Sequence, residues 1–225
     1  FRAKLTSDDV EASPKVTALS VTVDMPDRVD AVADTRSFVN LIDQEEAFDN
    51  WTAVSGVTVT ADQIANPVNG QVTADLVAKP ATAYRYVQRD ATDAVEAGTY
   101  TYSVYAKAGT NTDVTFLVGP YSTQWARVTF DLSAGTAGTP GSVGATNVSA
   151  AIVSLSDGWF RCSITATFSV TSPNQQFYIY PGVYNAAVAG NVYLWGAQVE
   201  RASSASAFQS HTNGSKVVTY SPAFK

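Results

Sequence analysis

From Gly190 to Arg201, GNVYLWGAQVER, apolar side chains recur at every second position, a spacing that excludes an amphipathic helix. Under strict alternation Tyr193, Trp195, Ala197 and Val199 share one face, and Val192, Leu194, Gly196 and Gln198 the other. The segment therefore predicts a strand with one clearly apolar face. The same period recurs along the chain, and strands are expected at 38–42, 56–62, 71–79, 84–90, 98–108, 112–119, 124–132, 148–155, 159–169, 175–181 and 190–200. Short strands at this spacing, with turn signals between them and almost no helical pattern, predict an all-β fold, a jelly-roll β-sandwich. Asp157-Gly158 predicts a two-residue hairpin turn, and Pro67-Val68-Asn69-Gly70 another reversal. Asp43 to Asn50 has room for one helical turn, and Ser133 to Thr146 reads as a flexible small-residue loop that does not pack.

The chain of 225 residues is long enough for one full domain, and 45% hydrophobic residues suffice for its core. Only 15% are charged, so Ser, Thr, Asn, Gln and Gly must dominate the surface. A net charge of −6 argues against nucleic acid or an anionic membrane as partner. No apolar run approaches the ~18 residues of a span, so membrane insertion is not expected. Cys162 stands alone, which leaves no disulfide framework and no thiolate cluster, and it reads as a buried thiol. Three parts are expected. Residues 1–36 read as the end of a preceding β domain and its linker, with a short strand from Arg2 to Leu5 and the alternating VTALSVTVDMP. Residues 37–212 form the main domain. Residues 213–225 open on Asn213-Gly214 and run into KVVTYSPAFK, the first strand of a following domain. The expectation is a piece of a longer polypeptide, or a chain completed by its neighbours.

Alternation also divides core from surface. Phe160, Cys162, Ile164, Ala166 and Phe168 should face the core, with Trp159 and Arg161 pointing away. Val128, Phe130 and Leu132 go inward, leaving Trp125 and Arg127 outside. Val87 inward puts Tyr84, Tyr86 and Gln88 outward; Phe177 and Ile179 inward puts Tyr178 and Tyr180 outward. Trp51 and Trp195 are assigned to the core. Large outward aromatics alternating with Arg and Gln suit a sugar, because rings stack on the C–H face of a pyranose while amide and guanidinium groups bond its hydroxyls. The candidate ligand face is Tyr84, Tyr86, Trp125, Arg127, Trp159 and Arg161. Contacts between subunits or domains would use such residues equally well, and a sandwich has two outer faces to share among them.

Catalysis has little to stand on. His211, the only histidine, lies in a polar tail, so a Ser or Cys nucleophile has no base. Asp43, Glu45, Glu46, Asp90 and Asp93 fall in expected loops, where solvated acids are the ordinary meaning. Calcium at Asp43, Glu45 or Glu46 is conceivable, but nothing resembles an EF-hand loop. No enzyme, metal site or cofactor is expected.

Four segments in order, NLIDQEEAFDNWT (40–52), GTYTYSVYAKAG (98–109), DGWFRCSITATF (157–168) and VYLWGAQVE (192–200), together resemble one family. It is that of the carbohydrate-binding-module-like jelly rolls of phage tail fibres, head fibres and related virion proteins, and the resemblance covers about 38–212. The flanks, ASPKVTALSVTVDMPDRV (12–29) and VVTYSPAFK (217–225), resemble the region near the C-terminus of tail-tip, central-fibre host-specificity proteins. There VDMPDR is expected to lead within a short distance into the SPAF strand. Here the jelly roll stands between them, like a domain inserted into a fibre scaffold. The resemblance implies a virion location, a homotrimer, other virion tail proteins as partners, and non-catalytic recognition of a host surface. Bacterial surface polysaccharide is the expected ligand; the competing expectation is a purely structural fibre domain without one.

Overall fold

Strands whose apolar residues all fall on one face must bury that face, and two such sheets closing on each other do so at least cost. The computed structural model describes residues 40–91, 96–120, 123–170 and 175–211, so the strands expected before residue 37 and after 212 lie outside the described residues. The described residues all fall within one unit and form two antiparallel sheets packed face to face, an all-β jelly-roll sandwich. In chain order the strands are β1 (Thr52–Ala53), β2 (Thr58–Ala65), β3 (Val72–Lys79), β4 (Val87–Ala91), β5 (Gly98–Ala108), β6 (Asp113–Gly119), β7 (Trp125–Asp131), β8 (Thr136–Ala137), β9 (Gly141–Val143), β10 (Thr146–Ser154), β11 (Trp159–Phe168), β12 (Gln175–Tyr180) and β13 (Gly190–Glu200). The larger sheet runs β1-β4-β12-β6-β7-β8, with β9 also on β7; the smaller runs β10-β11-β5-β13-β3-β2.

Inward residues of both sheets meet around Phe177. Its ring lies 5.2 Å from Phe116, 5.5 Å from Tyr102 and 6.0 Å from Trp51, in edge-on contacts that aromatic quadrupoles favour. The Tyr102 hydroxyl, fully buried, donates to Gln175 Oε1 at 2.9 Å, which satisfies it. Val87, Val128, Phe130, Cys162, Ile164, Ala166 and Phe168 face this core as their alternation requires, with Phe160 half-buried at its margin. Burial pushes the Cys162 thiol well above its ordinary range, which makes it a packing residue and not a nucleophile.

The turns follow the sequence signals. Asp157 (φ 57°, ψ 32°) and Gly158 (φ 72°) both adopt the left-handed conformation a primed hairpin turn needs. At the other reversal the Asn66 side chain accepts from Val68 N and Asn69 N, closing an Asx turn ahead of Gly70.

Three expectations are corrected. Residues 40–42 form no strand; instead the Asn40 amide accepts from Val199 N and donates to Ala197 O. The 133–146 segment is not a loose loop. Asp131 Oδ1 accepts from Ser133 N and Ala134 N, and β8 and β9 then pair with β7, whose edge would otherwise be bare. The third correction is the face of β13. Its pairing with β5 slips by one residue between Trp195 and Gln198, where Gly196 sits at φ +62°. That bulge reverses the parity, so Val192 and Leu194 reach the core before it, and Ala197 and Val199 after it. Tyr193 and Trp195 are thereby turned to the outer face of the smaller sheet.

Asp75 on β3 is buried and accepts from Phe48 N at 2.8 Å and Asp62 N at 3.0 Å. These bonds favour the carboxylate, but burial outweighs them and raises the group from its ordinary 3.8 to about 6. The folded state then binds this proton more readily than the unfolded chain, so its contribution to stability is greatest below pH 4 and is lost as the pH rises through 6. The change amounts to up to about 3 kcal/mol. Urea unfolding of wild type and Asp75→Asn between pH 4 and 7.5 should show this pH-dependent component in the wild type and not in the variant.

Candidate functional site

A jelly roll has two outer faces, and side-chain alternation supplies both. On the larger sheet, strand register aligns Gln88 with Tyr178, Tyr178 with Leu117, and Leu117 with Arg127. These four side chains therefore form a row across β4, β12, β6 and β7, about 14 Å long at ~4.8 Å per strand. Tyr180 lies beside the row on β12, and Trp125 flanks it on β7.

The aromatics of this face form two tiers. Leu117, Tyr178 and Tyr180 are the buried floor. Tyr86 stands over it, 5.0 Å from Tyr178 and 5.1 Å from Tyr180, both edge-on. Tyr184, from the loop after β12, lies 5.0 Å from Tyr180 and 5.1 Å from Tyr84. The guanidinium carbon of Arg127 sits 4.1 Å from the Tyr184 ring centre and 5.4 Å from that of Trp125. Tyr86, Trp125, Arg127 and Tyr184 are half-buried, while Tyr84 is 50% exposed. A rigid floor thus holds the upper rings at fixed positions and leaves part of each in water.

At the β4 end the face turns polar. Asp43, Thr52, Gln88, Arg89 and Asp90 line a cleft of about 270 Å³. Arg89 grips Asp43 with Nε and Nη2 at 2.8 and 2.7 Å, and Gln88 Nε2 donates to Asp90 Oδ1 at 2.8 Å. The hydrogen bond from Arg89 holds the Asp43 carboxyl below its usual range, so it stays an acceptor and is unsuited to proton donation near neutrality. Hydroxyl, amide and carboxylate groups beside an aromatic platform suit a ligand with apolar faces and a hydroxylated rim. Among the described residues no three His, Cys, Asp or Glu side chains gather as a metal site, and no helix is long and apolar enough to cross a membrane.

Of the six residues singled out in the sequence, Tyr84, Tyr86, Trp125 and Arg127 come together here. Trp159 and Arg161 do not. They lie on β11 in the smaller sheet, pointing away from the main core as expected, but the chain's own segment after β13 covers them. Trp159 is 1% exposed and packs with Ala74, Tyr105 and Trp195, which meets Phe208 at 4.5 Å between ring centres. Arg161 Nη1 donates to Ser206 O, and Nη2 to Ser103 Oγ at 3.2 Å. Gln198 Oε1 accepts from Gln209 N at 2.9 Å, and Glu200 Oε2 from Ser206 N at 3.1 Å. His211 N donates to Glu45 Oε1 at 2.7 Å. Residues 201–211 are therefore a strap over the Tyr105–Trp159–Trp195 cluster of this face.

Tyr184 is the site residue that the sequence reading misses, since a loop tyrosine carries no periodicity. Gln88, Tyr178 and Tyr180 were legible as outward, but nothing local distinguished a buried floor from a contact surface.

No family model matches this chain, and no curated protein matches it. Among solved structures it is similar to the family 22 xylan-binding domain of Paenibacillus barcinonensis, at 15% identity and a TM-score of 0.47, over 76% of this chain and 99% of that one. It is also similar to the enzymatically active domain of bacteriophage CBA120 tailspike protein 4, at 13% identity and a TM-score of 0.41. That match covers 72% of this chain and 21% of the tailspike. A Clostridium thermocellum xylanase with its binding module, solved with xylohexaose, matches at 15% identity and a TM-score of 0.43, over 74% of this chain and 28% of that one.

Trp159→Ala should cost about 3–5 kcal/mol, as expected for an aromatic removed from a closed cluster. Phe208→Ala should cost less, about 1–3 kcal/mol, because its ring is only half-buried. Urea midpoints with unchanged slopes would measure both.

Proposed function

We propose that this chain is a non-catalytic virion protein of a phage tail fibre or tail tip, which recognises its host by binding bacterial surface polysaccharide. The observation that carries this reading is the difference between the two outer faces. On the smaller sheet Tyr105, Trp159 and Trp195 are buried under the strap; on the larger the upper rings remain half-open, in a row that ends in a cleft of hydroxyl, amide and carboxylate groups. Rings placed along a row suit a linear polymer, because successive sugars offer successive C–H faces. The affinity of one such face is expected to be weak, near millimolar or about 4 kcal/mol. A homotrimer on a fibre, alongside other virion tail proteins, would multiply it by linkage alone.

The ends of the domain support its place in a fibre. His211 Nδ1–H donates to Asn40 O at 2.8 Å, and Asn40 Nδ2 donates to Gln209 O at 3.1 Å. The chain thus enters and leaves the sandwich at one point, as a domain spliced into a scaffold between 36 and 213 must.

Purified surface polysaccharides of candidate hosts, titrated against the whole protein, test this reading. Saturable binding that weakens about tenfold or more in Trp125→Ala and Tyr184→Ala, with assembly intact by light scattering, is the expected result. Variants that fail to assemble, with no polysaccharide bound by the wild type, would make the face a subunit contact and the domain structural.

A further inference from the structure

The arginine at the Trp125 end of the platform differs from nearly every other described cation. Arg89 is committed to Asp43 and Asn50 O, Arg161 to Ser206 O and Ser103, and Arg201 to Glu96 and Ala97 O. Lys79 donates to Ala186 O, and Lys107 to Asp157. Among the described residues Arg127 has ring contacts in place of such bonds. Its guanidinium is held over the rings of both Tyr184 and Trp125, closer to Tyr184, and among the described residues none of its N–H groups is bonded within the protein. Arg85 is the other exception, but its Nε is buried without a partner, whereas Arg127 sits on the open face. Among the described residues no carboxylate forms an ion pair with Arg127. Asp131 lies four residues along the same strand, about 13 Å away, and already accepts from Ser133 and Ala134. Asp90 is at the opposite end of the row, three strands over.

Ring contacts engage the face of a guanidinium and leave its in-plane fork of donors available. That fork matches a carboxylate, which it can hold through two parallel hydrogen bonds. We propose that the saccharide taken by this face is acidic: a uronate-type sugar stacks on Trp125 and sets its carboxylate in the fork of Arg127. This rests on the polysaccharide reading above and assigns that site its ligand class. A carboxylate borne by the sugar ring fits because Trp125 and the guanidinium stand 5.4 Å apart, so one residue of the polymer reaches both. The net charge of −6 repels polyanions at long range, so a preference for one must arise from local contact.

The whole protein is titrated with polygalacturonate, alginate and hyaluronan, each beside its carboxyl-reduced, neutral counterpart. Wild type is expected to bind at least one acidic polymer tenfold or more tightly than the reduced form. Arg127→Gln should bring the two affinities within about twofold, and Arg127→Lys should recover only part of the preference, since an ammonium cannot fork; thermal unfolding verifies that each variant is folded. Equal binding of acidic and reduced polymers by the wild type, or an acid preference that survives Arg127→Gln, overturns the inference and leaves the polysaccharide reading standing. Binding to neither form of any polymer, nor to host polysaccharide, overturns both.

Discussion

Phe208 resting on Trp195, with Arg161 holding the backbone beside it, makes the two outer faces of the sandwich unequal. Without the strap, Tyr105, Trp159 and Trp195 would form an open aromatic patch on the smaller sheet, of the kind that binds or aggregates. With it, those rings become a second core, and Gln198 and Glu200 spend their hydrogen bonds on strap backbone. The bulge at Gly196 is part of the same device, because it turns Trp195 outward while returning Ala197 and Val199 to the interior. Asn40 bridges the strand at that bulge and also meets Gln209 and His211, so the strap, the bulge and the domain's entry point are fastened together.

The larger sheet has no such cover over its outward rings among the described residues, and its design is complementary. Tyr178 and Tyr180 are too buried to stack on a ligand, but they fix Tyr86 and Tyr184 in edge-on packing. A platform whose rings are already ordered would lose little conformational entropy on taking the proposed saccharide. The Asp43–Arg89 pair has a similar role at the polar end. An exposed ion pair contributes little to stability, yet it holds the acceptor of the cleft ionised and in place.

Much of this was legible in the sequence because period-two alternation is a local property. From β2 to β13, ten of the expected strands have counterparts in the structure, and inward residues such as Phe177, Phe130 and Ile164 occupy the core their parity assigns. What was lost is non-local. Trp159 and Arg161 look identical to Trp125 and Arg127 in the sequence; each is a Trp-x-Arg at a strand start, with an apolar partner set facing inward. Only the path of residues 201–211 separates a covered pair from an open one. Trp195 is buried as expected, but in the cluster under the strap and not on the face of Ala197 and Val199; Gly196 inside an otherwise regular strand is the bulge signal that separates them. The edge strands β8 and β9 had no apolar alternation to announce them, and they form because β7 offers an unpaired edge.

Side-chain indole resonances test the central claim most directly, since the four tryptophans occupy distinct positions. Trp51 is in the main core, Trp159 and Trp195 lie under the strap, and Trp125 is on the open face. On titration with a host surface saccharide, the account predicts that the Trp125 Nε1–H resonance shifts and saturates while the other three stay in place. Movement of Trp159 or Trp195 with Trp125 unmoved would place the ligand on the strapped face and contradict the account.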